Sequence, residues 1–344
     1  MTPEPIVSVI IPTYNRASTI AAAVESILGQ TCAQIEVIVV DDGSQDDTAR
    51  VMAALTDPRL RYVALPRNAG ACAARNHGIE LARADILAFQ DSDDVWHPTK
   101  LERQLAVLGA ARDRVIYCGF MRCEDGVAAY TPHSGIAPRR GRIVAPLLEG
   151  NFVSTQTLLV PRACLDAVGG FHETLGRLQD WELAIRLSGL YEFDLVDEPL
   201  VHAYMTPGNI SSNLKAYVDA METVLDLHGA VFDEYPQAGA LIRCNLAHHL
   251  FALGRMGEGR GQLKMARALG HHRRTSAGLW SLSLLGAYLY RAVFKLVASG
   301  RWRWHARVTR RMIAKGLIPQ SELPVRPAPA GGQPVHGKPG VSGC

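Results

Sequence analysis

The residues with the clearest chemical potential form one short stretch. The apolar run Ile86-Leu87-Ala88-Phe89 ends in Asp91-Ser92-Asp93-Asp94, three carboxylates within four positions. Two like unit charges about 4 Å apart repel by roughly 1 kcal/mol in water and roughly 4 kcal/mol at an effective dielectric of about 20. Such a cluster calls for a cation, a proton or full solvation. Hard divalent ions take oxygen ligands, and Mg²⁺ typically takes one or two carboxylates plus phosphate oxygens. The same residues also suit a solvated acidic turn that caps a helix starting near His97-Pro98-Thr99, so context must decide. An apolar run bounded by polar residues fits a buried central strand. Its carboxylates then sit at the carboxyl end, where open α/β sheets bind ligands.

The elements that must position this cluster alternate. Ile6 to Ile11 is β-branched, ends at Pro12 and reads as a buried strand. A turn at Thr13-Tyr14-Asn15-Arg16 leads to a helix over Ser18–Leu28. Ile35 to Val40 is a second strand, ending in Asp41-Asp42-Gly43-Ser44, with Asp46, Asp47 and Thr48 as caps for a helix through Ala54. Leu60 to Leu65 is a third strand. After the turn Asn68-Ala69-Gly70, Ala71 to Leu81 forms a small-residue helix suited to close packing on the sheet. This alternation argues for a parallel, doubly wound α/β sheet. No G-x-G-x-x-G follows the first strand and no G-x-x-x-x-G-K-[ST] occurs, which disfavours a dinucleotide dehydrogenase and excludes a P-loop NTPase.

Charge divides the 344 residues unevenly. Residues 1–258 hold 21 Lys/Arg against 32 Asp/Glu, whereas 259–321 hold 13 Lys/Arg and no acid. Acidic and basic parts of this kind do different jobs. The seven cysteines are scattered without C-x-x-C spacing, so neither a disulfide framework nor a zinc site is expected and a reducing compartment is favoured. Met1–Pro5 has no basic region, and no signal peptide is expected.

Taken together, Val7 to Arg16, Val39-Val40-Asp41-Asp42-Gly43-Ser44, Asn68-Ala69-Gly70 with Ala74-Arg75-Asn76-His77-Gly78, and Asp91-Ser92-Asp93-Asp94 resemble the motifs of glycosyltransferase family 2, in its order and spacing. The resemblance covers about residues 5–210. It implies a Rossmann-like GT-A fold, a mixed and mostly parallel sheet with flanking helices, that binds a nucleotide-diphosphate sugar and a divalent metal, Mg²⁺ or Mn²⁺. Carried over, Pro12, Thr13, Tyr14 and Asn15 hold the nucleoside and Asp41 faces the base. Arg75 lies near the diphosphate, Asp42 and Ser92 belong to the donor site, and Asp91 and Asp93 bind the metal. Gly169 to Glu173 followed by Gln179-Asp180-Trp181-Glu182-Leu183 resembles the second signature, which makes Asp180 the catalytic base. The usual Glu-Asp is Gln179-Asp180 here, so position 179 departs from the pattern. Asp180 also suits a plain cap of a helix over Trp181–Ser188. Relatives often carry Arg and His where this chain has Tyr204, Met205 and Thr206, with His202 as a possible substitute.

The remaining segments are read from pattern. Val115 to Phe120 is a strand, residues 121–145 a loop-rich insertion over the site, Phe152 to Val160 a strand and Arg162 to Val168 a helix. From Ser212 the chain turns helical, with a hairpin over Ala238–Leu253 and Gly259–Leu269. Leu279 to Tyr290 is apolar but shorter than the about 20 residues that span a bilayer. Trp302 and Trp304 interleave with Arg301, Arg303, Arg307, Arg310, Arg311 and Lys315, the composition of a membrane-interface segment. Nucleic acid is not expected, because no recognised module accompanies these residues. The Pro- and Gly-rich end from Pro324 onward reads as disordered.

These readings give a catalytic domain at 1–211, a basic helical extension at 212–320 that associates with an anionic membrane surface, and a disordered tail at 321–344. The expected function is an inverting glycosyltransferase, peripheral at the cytoplasmic face of a membrane. It moves a sugar, most simply from a UDP-sugar, to a glycan or lipid-linked acceptor in cell-envelope or exopolysaccharide synthesis. A nucleotidyltransferase and a non-catalytic nucleotide-sugar-binding protein are the alternatives.

Overall fold

A computed structural model describes residues 4–124, 127–132, 139–204, 213–270, 272–292, 294, 307–311 and 314. The chain begins with β1 (Val7–Thr13), α1 (Ile20–Leu28), β2 (Ile35–Asp41), α2 (Thr48–Ala53), β3 (Leu60–Ala64), α3 (Ala71–Leu81) and β4 (Ile86–Phe89). Next come β5 (Val95–Trp96), α4 (Lys100–Leu108), β6 (Arg114–Glu124), β7 (Val127–Thr131) and α5 (Val144–Glu149). A 3-10 turn at Thr155–Thr157 leads into β8 (Leu158–Pro161), α6 (Arg162–Val168), α7 (Gln179–Leu190) and β9 (Glu192–Tyr204). Helices α8 (Leu214–Leu227), α9 (Gly229–Glu234), α10 (Pro236–Leu253), α11 (Met256–Ala268) and α12 (Arg273–Ser283) follow.

The sheet runs β3-β2-β1-β4-β8-β6-β9-β5, with β7 on β6. The pairings β3-β2, β2-β1 and β1-β4 are parallel, as the alternation requires, and so is β6-β9. β8 lies antiparallel between β4 and β6. Every residue of β1 and of β2 is buried, which explains their unbroken apolar sequence. The polar members of these strands are satisfied in place. Ser8 Oγ donates to Glu36 Oε1 (2.6 Å), and Arg83 Nε donates to Glu36 Oε2 (2.8 Å).

Side chains alternate between two cores. Val7, Val9 and Ile11 face Ile20, Val24, Ile27, Leu101 and Leu108, whereas Ile10, Leu87 and Phe89 face Cys72, Leu147, Trp181 and Leu246. α3 packs on the sheet as closely as its small residues suggest. A Cβ on Gly78 would lie 2.4 Å from Ile10 Cγ2, so the helix and β1 approach at a distance only glycine permits. This contact sets Arg75, one turn earlier, against the end of β4.

Several expectations are corrected here. The stretch after Phe120 is not simply a loop: β6 runs on to Glu124 and pairs with β7, Phe120 opposite Thr131 and Met121 opposite Tyr130. The register of β6 against β9 shifts around Gly119, where a Cβ would lie 2.1 Å from the Tyr130 hydroxyl. Such a bulge re-aims the strand beyond it. Residues 133–138 of that expected insertion lie outside the described residues. The strand expected over Phe152–Val160 is limited to β8, because the preceding residues close a 3-10 turn with Thr157 N donating to Ser154 O (2.9 Å). The apolar segment at Leu279–Tyr290 is not one helix; α12 stops at Ser283 and helix resumes at Gly286.

The expected boundary at 211/212 does not divide the core. Val218, Met221, Val224, Phe232, Ile242, Leu246 and Leu250 of α8–α10 belong to the same apolar cluster as Leu87, Phe89 and Trp181. A smaller cluster of Ala247, Phe251, Leu263, Ala266 and Tyr290 joins α10, α11 and the helix beyond Gly286. Met205–Ser212, Trp302, Trp304, Lys315 and the tail lie outside the described residues.

Candidate active site

Parallel register brings the motif turns to one edge. Thr13 at the end of β1 pairs with Asp41 at the end of β2, and β4 ends alongside. The turns are then laced together. Asn15 N donates to Ser44 Oγ and Gln45 N donates to Asn15 Oδ1, both at 2.8 Å, with Asn15 in the left-handed region at φ 52°. The Asp42 carboxylate accepts from Ala69 N (2.7 Å) and Gly70 N (2.8 Å), fixing the Asn68-Ala69-Gly70 turn that opens α3. Above them lies a cavity of about 810 Å³, inside the usual range for small-ligand sites.

Pro12, Thr13, Tyr14, Asn15, Asp42, Arg75, Asp91, Ser92, Asp93 and Asp180 all line this cavity. Asp41, expected to face the base, is not among the lining residues. It is buried, and its carboxylate accepts from Ser44 N (2.8 Å) and from the Tyr62 hydroxyl. His202 is not among the lining residues either; it lies on β9 opposite Val95. Arg16, read from the sequence only as part of a turn and motif, also lines the cavity, and Arg122, Asn151, Gln156 and Arg177 line it without having been singled out as site residues.

The acidic cluster is cross-braced by arginine. Asp91 meets Arg75 at 2.7 Å and Asp93 meets Arg16 at 3.4 Å. Asp94 turns inward and accepts from Tyr204 N (3.0 Å); burial, then the charges of Asp93 and Asp91, push its carboxyl well above the ordinary range. Asp91 and Asp93 line the cavity together with Ser92 and Asp94. Carboxylates of this kind are hard oxygen donors, of which a divalent cation takes one or two alongside phosphate oxygens; among the described residues no group of three or more His, Cys, Asp or Glu side chains could hold a metal ion. Arg75 is buried, and its Nε and Nη1 have no acceptor among the described residues. They are donors suited to a ligand's phosphate oxygens.

Asp180 sits inside α7, not at its cap. The helix starts at Gln179, and its cap is Leu178, held at φ 61°. A bulky residue in that region is an outlier of the kind that clusters at functional sites. Asp180 Oδ1 accepts from Trp181 N (2.8 Å), and Trp181 Nε1 anchors the helix on Leu147 O (2.6 Å). Burial raises the Asp180 pKa, and the Asp91 charge adds to the rise. A carboxylate biased toward protonation is a better general base than an ordinary one.

The neighbouring acids have other work. Glu182 is buried, accepting from Arg186 Nε (2.7 Å) and Nη2 (2.6 Å) and lying 3.1 Å from His228 Nε2. Burial alone would raise its pKa, but His228 and Arg186 together hold it down to about 2. Glu173 accepts from Asn76 Nδ2 (2.9 Å), away from the cavity lining. A depressed carboxyl stabilises the fold above its unfolded pKa and loses that contribution as pH falls through the folded one. Glu182→Gln is therefore expected to cost about 1.5–3 kcal/mol at neutral pH. That deficit should vanish as pH falls from about 4.5 toward about 2. Urea unfolding of both forms across pH checks this; a deficit unchanged at low pH contradicts it.

The comparisons agree with this geometry. The family model described as glycosyl transferase family 2 matches residues 8–169. An uncharacterized glycosyltransferase of Rickettsia prowazekii is 30% identical over 226 residues, 63% of this chain and 70% of that protein. The chain belongs to glycosyltransferase family 2. It is a glycosyltransferase of GT-A fold. Mannosyltransferase PcManGT from Pyrobaculum calidifontis, solved with GDP-Man and Mn²⁺, superposes with a TM-score of 0.57 at 19% identity, covering 89% of this chain and 87% of that one. Escherichia coli WfgD, a UDP-Glc:alpha-D-GlcNAc-diphosphoundecaprenol beta-1,3-glucosyltransferase, is 39% identical over 103 residues, 30% of this chain and 41% of its own length. Within the family-2 frame, the described helices include none long and apolar enough to cross a membrane.

Proposed function

We propose that this family-2 enzyme is metal-dependent and inverting, transferring a sugar from a nucleotide-diphosphate donor, a UDP-sugar in the simplest case, to an acceptor hydroxyl. The acceptor is a growing cell-envelope or exopolysaccharide glycan, lipid-linked as in the name of WfgD. The observation that carries the reading is a single cavity that holds Asp180 together with Asp91, Asp93 and the unsatisfied donors of Arg75. Pro12 to Asn15 and Asp42 hold the nucleoside end. Arg75 donates to diphosphate oxygens. A divalent cation, when bound by Asp91 and Asp93, supplies charge neutralisation worth several kcal/mol for the departing diphosphate. Asp180 takes the proton of the acceptor hydroxyl as its oxygen bonds to the anomeric carbon. The bond from that carbon to the diphosphate oxygen breaks on the opposite face, the electron pair leaves with the diphosphate, and one displacement inverts the centre.

Incubation with a panel of nucleotide sugars and Mg²⁺ or Mn²⁺ tests this directly. Release of nucleoside diphosphate over many turnovers is expected. Release of sugar 1-phosphate in place of nucleoside diphosphate, or release of pyrophosphate when a nucleoside triphosphate and a sugar 1-phosphate are supplied instead, would assign nucleotidyl transfer, and tight binding without turnover would assign a sensor.

The enzyme is proposed to work at an anionic membrane surface on the cytoplasmic side. Support comes from the C-terminal helices. Leu284 is 68% and Tyr288 87% exposed, with Leu285 and Leu289 beside them. Contiguous exposed apolar side chains mark interaction sites. Arg307, Arg310 and Arg311 are exposed on a turn seated on β7, where Tyr130 N donates to Thr309 Oγ1 (2.9 Å). Each basic residue near an anionic surface contributes about 1 kcal/mol, and salt screens this over about 10 Å at roughly 0.1 M. Charge reversal at Arg307, Arg310 and Arg311 should shift the enzyme from phosphatidylglycerol vesicles into solution, and salt should partly release the wild type. Equal partitioning of both proteins with and without vesicles would assign the segment to another partner.

A further inference from the structure

Arg75 can serve a diphosphate only if its guanidinium holds one position. An arginine side chain is long and rich in rotamers, and the bond from Nη2 to Asp91 Oδ1 (2.7 Å) fixes a single corner of its fork. A second contact supports the fork from below. The guanidinium carbon lies over the Phe171 ring, 5.3 Å from its centre, within the about 6 Å over which a cation is drawn to a ring face. Phe171 is buried and is not among the residues that line the cavity. Its ring meets that of Phe89 edge to face, with centres 5.1 Å apart and planes at 84°. Phe89 ends β4, two residues before Asp91. The contacts therefore close a loop, from β4 through Asp91, Arg75 and Phe171 back to β4.

Phe171 itself lies between α6 and α7, where no helix or strand ladder holds its backbone. Asn76, next to Arg75 on α3, does so instead. Asn76 Oδ1 accepts from Phe171 N (2.8 Å), and Asn76 Nδ2 donates to Phe171 O (2.9 Å) and to Glu173 Oε1 (2.9 Å). One side-chain amide thus satisfies both backbone groups of Phe171, as a neighbouring strand would. The approach is close: a Cβ on Gly170, where φ is 70°, would lie 2.8 Å from Asn76 Oδ1. Cys72, one turn earlier in α3, adds a contact from Sγ to Leu175 O (3.7 Å). We propose that Phe171, clamped by Asn76, is a positioning residue for the donor: its ring keeps the Arg75 guanidinium where Nε and Nη1 meet the diphosphate. This rests on the reading of Arg75 as a diphosphate ligand. The clamped segment leads into α7, so the same contacts tie the donor arginine to the helix that carries Asp180.

The test titrates the full chain with UDP by calorimetry and with uridine by NMR, both with Mg²⁺ present. Phe171→Leu keeps an apolar side chain and loses the ring face. It should weaken UDP by about tenfold, the scale of one desolvated cation–π contact, while uridine affinity stays within about twofold. The decisive comparison is a double-mutant cycle. Arg75→Gln should also weaken UDP, and adding Phe171→Leu to it should cost nothing further. Asn76→Asp keeps the acceptor for Phe171 N but loses both donated bonds and faces Glu173 with like charge. It should weaken UDP by a smaller factor with uridine again unchanged, and it carries the same cycle should Phe171→Leu fail to fold. Unchanged UDP affinity in these variants, an equal loss of uridine, or a full second loss in the Arg75→Gln background overturns the proposal. Unchanged UDP affinity in Arg75→Gln alone removes Arg75 from the donor site and the positioning role with it. If wild type binds no UDP, the UDP-sugar reading fails separately, and inorganic pyrophosphate takes the place of UDP in the cycle; no binding of either overturns both.

Discussion

Asp180→Asn is expected to lower sugar transfer by about 10²- to 10⁴-fold, the usual worth of a positioned general base. That range corresponds to roughly 2.7–5.4 kcal/mol at about 1.36 kcal/mol per decade. Asn keeps the size and can still accept from Trp181 N, but it cannot take a proton. Donor and metal affinity should be unchanged. Stability should not fall either. Burial disfavours the charged form of this carboxyl, so a neutral amide removes a penalty, and the melting temperature should be equal or higher at neutral pH. The same burial fixes a pH signature. The base works deprotonated, so wild-type kcat should decline as pH falls through a pKa displaced upward from 3.8, and the residual rate of Asp180→Asn should lack that limb. Transfer within a few-fold of wild type would remove Asp180 from the chemistry. Glu182 and Glu173 could not readily replace it, since one is committed to Arg186 and His228 and the other to Asn76.

The second large effect is expected at the acidic cluster. Asp93→Ala should reduce Mn²⁺- or Mg²⁺-supported transfer by on the order of 10³-fold, given several kcal/mol of charge stabilisation at about 1.36 kcal/mol per decade. Asp93 is a cleaner probe than Asp91. Loss of Asp91 would strand the buried Arg75 without its carboxylate, mixing a folding cost with a binding one. Asp93 pairs with a more exposed arginine at a longer distance, and its removal relieves like charge on the buried Asp94. The fold should therefore survive with a melting temperature close to wild type, while Mn²⁺ binding measured by electron paramagnetic resonance is weakened. Undiminished transfer by Asp93→Ala, or by wild type in excess chelator, would sink the metal role.

Much of the site was legible because it lies where local patterns end. β1, β2 and β4 are apolar runs that stop at polar turns, and parallel pairing brings those stops together without long-range information. α3 and α6 begin and end where Gly70 and Gly169 punctuate them. What escaped depends on partners distant in sequence. The Asp41 carboxylate is also the acceptor of the Tyr62 hydroxyl of β3, a pairing that no local pattern announces. Arg177 looks like a surface residue until Asn213 and Tyr217 of α8 hold it. The far half of β6 reads as loop because Arg122 and Glu124 interrupt the apolar run, although they pair with β7. The helices after residue 213 read as a separate extension because an apolar stripe does not announce which surface it will cover. Here it covers the sheet's own core.

The anomeric configuration of the product tests the central claim most directly. With the donor found in the nucleotide-sugar panel, proton NMR of the first-formed glycoside should show the configuration opposite to that of the donor. Nucleoside diphosphate should appear in equal amount, and Asp180→Asn should form neither above background. A product that retains the donor's configuration would contradict single displacement assisted by Asp180.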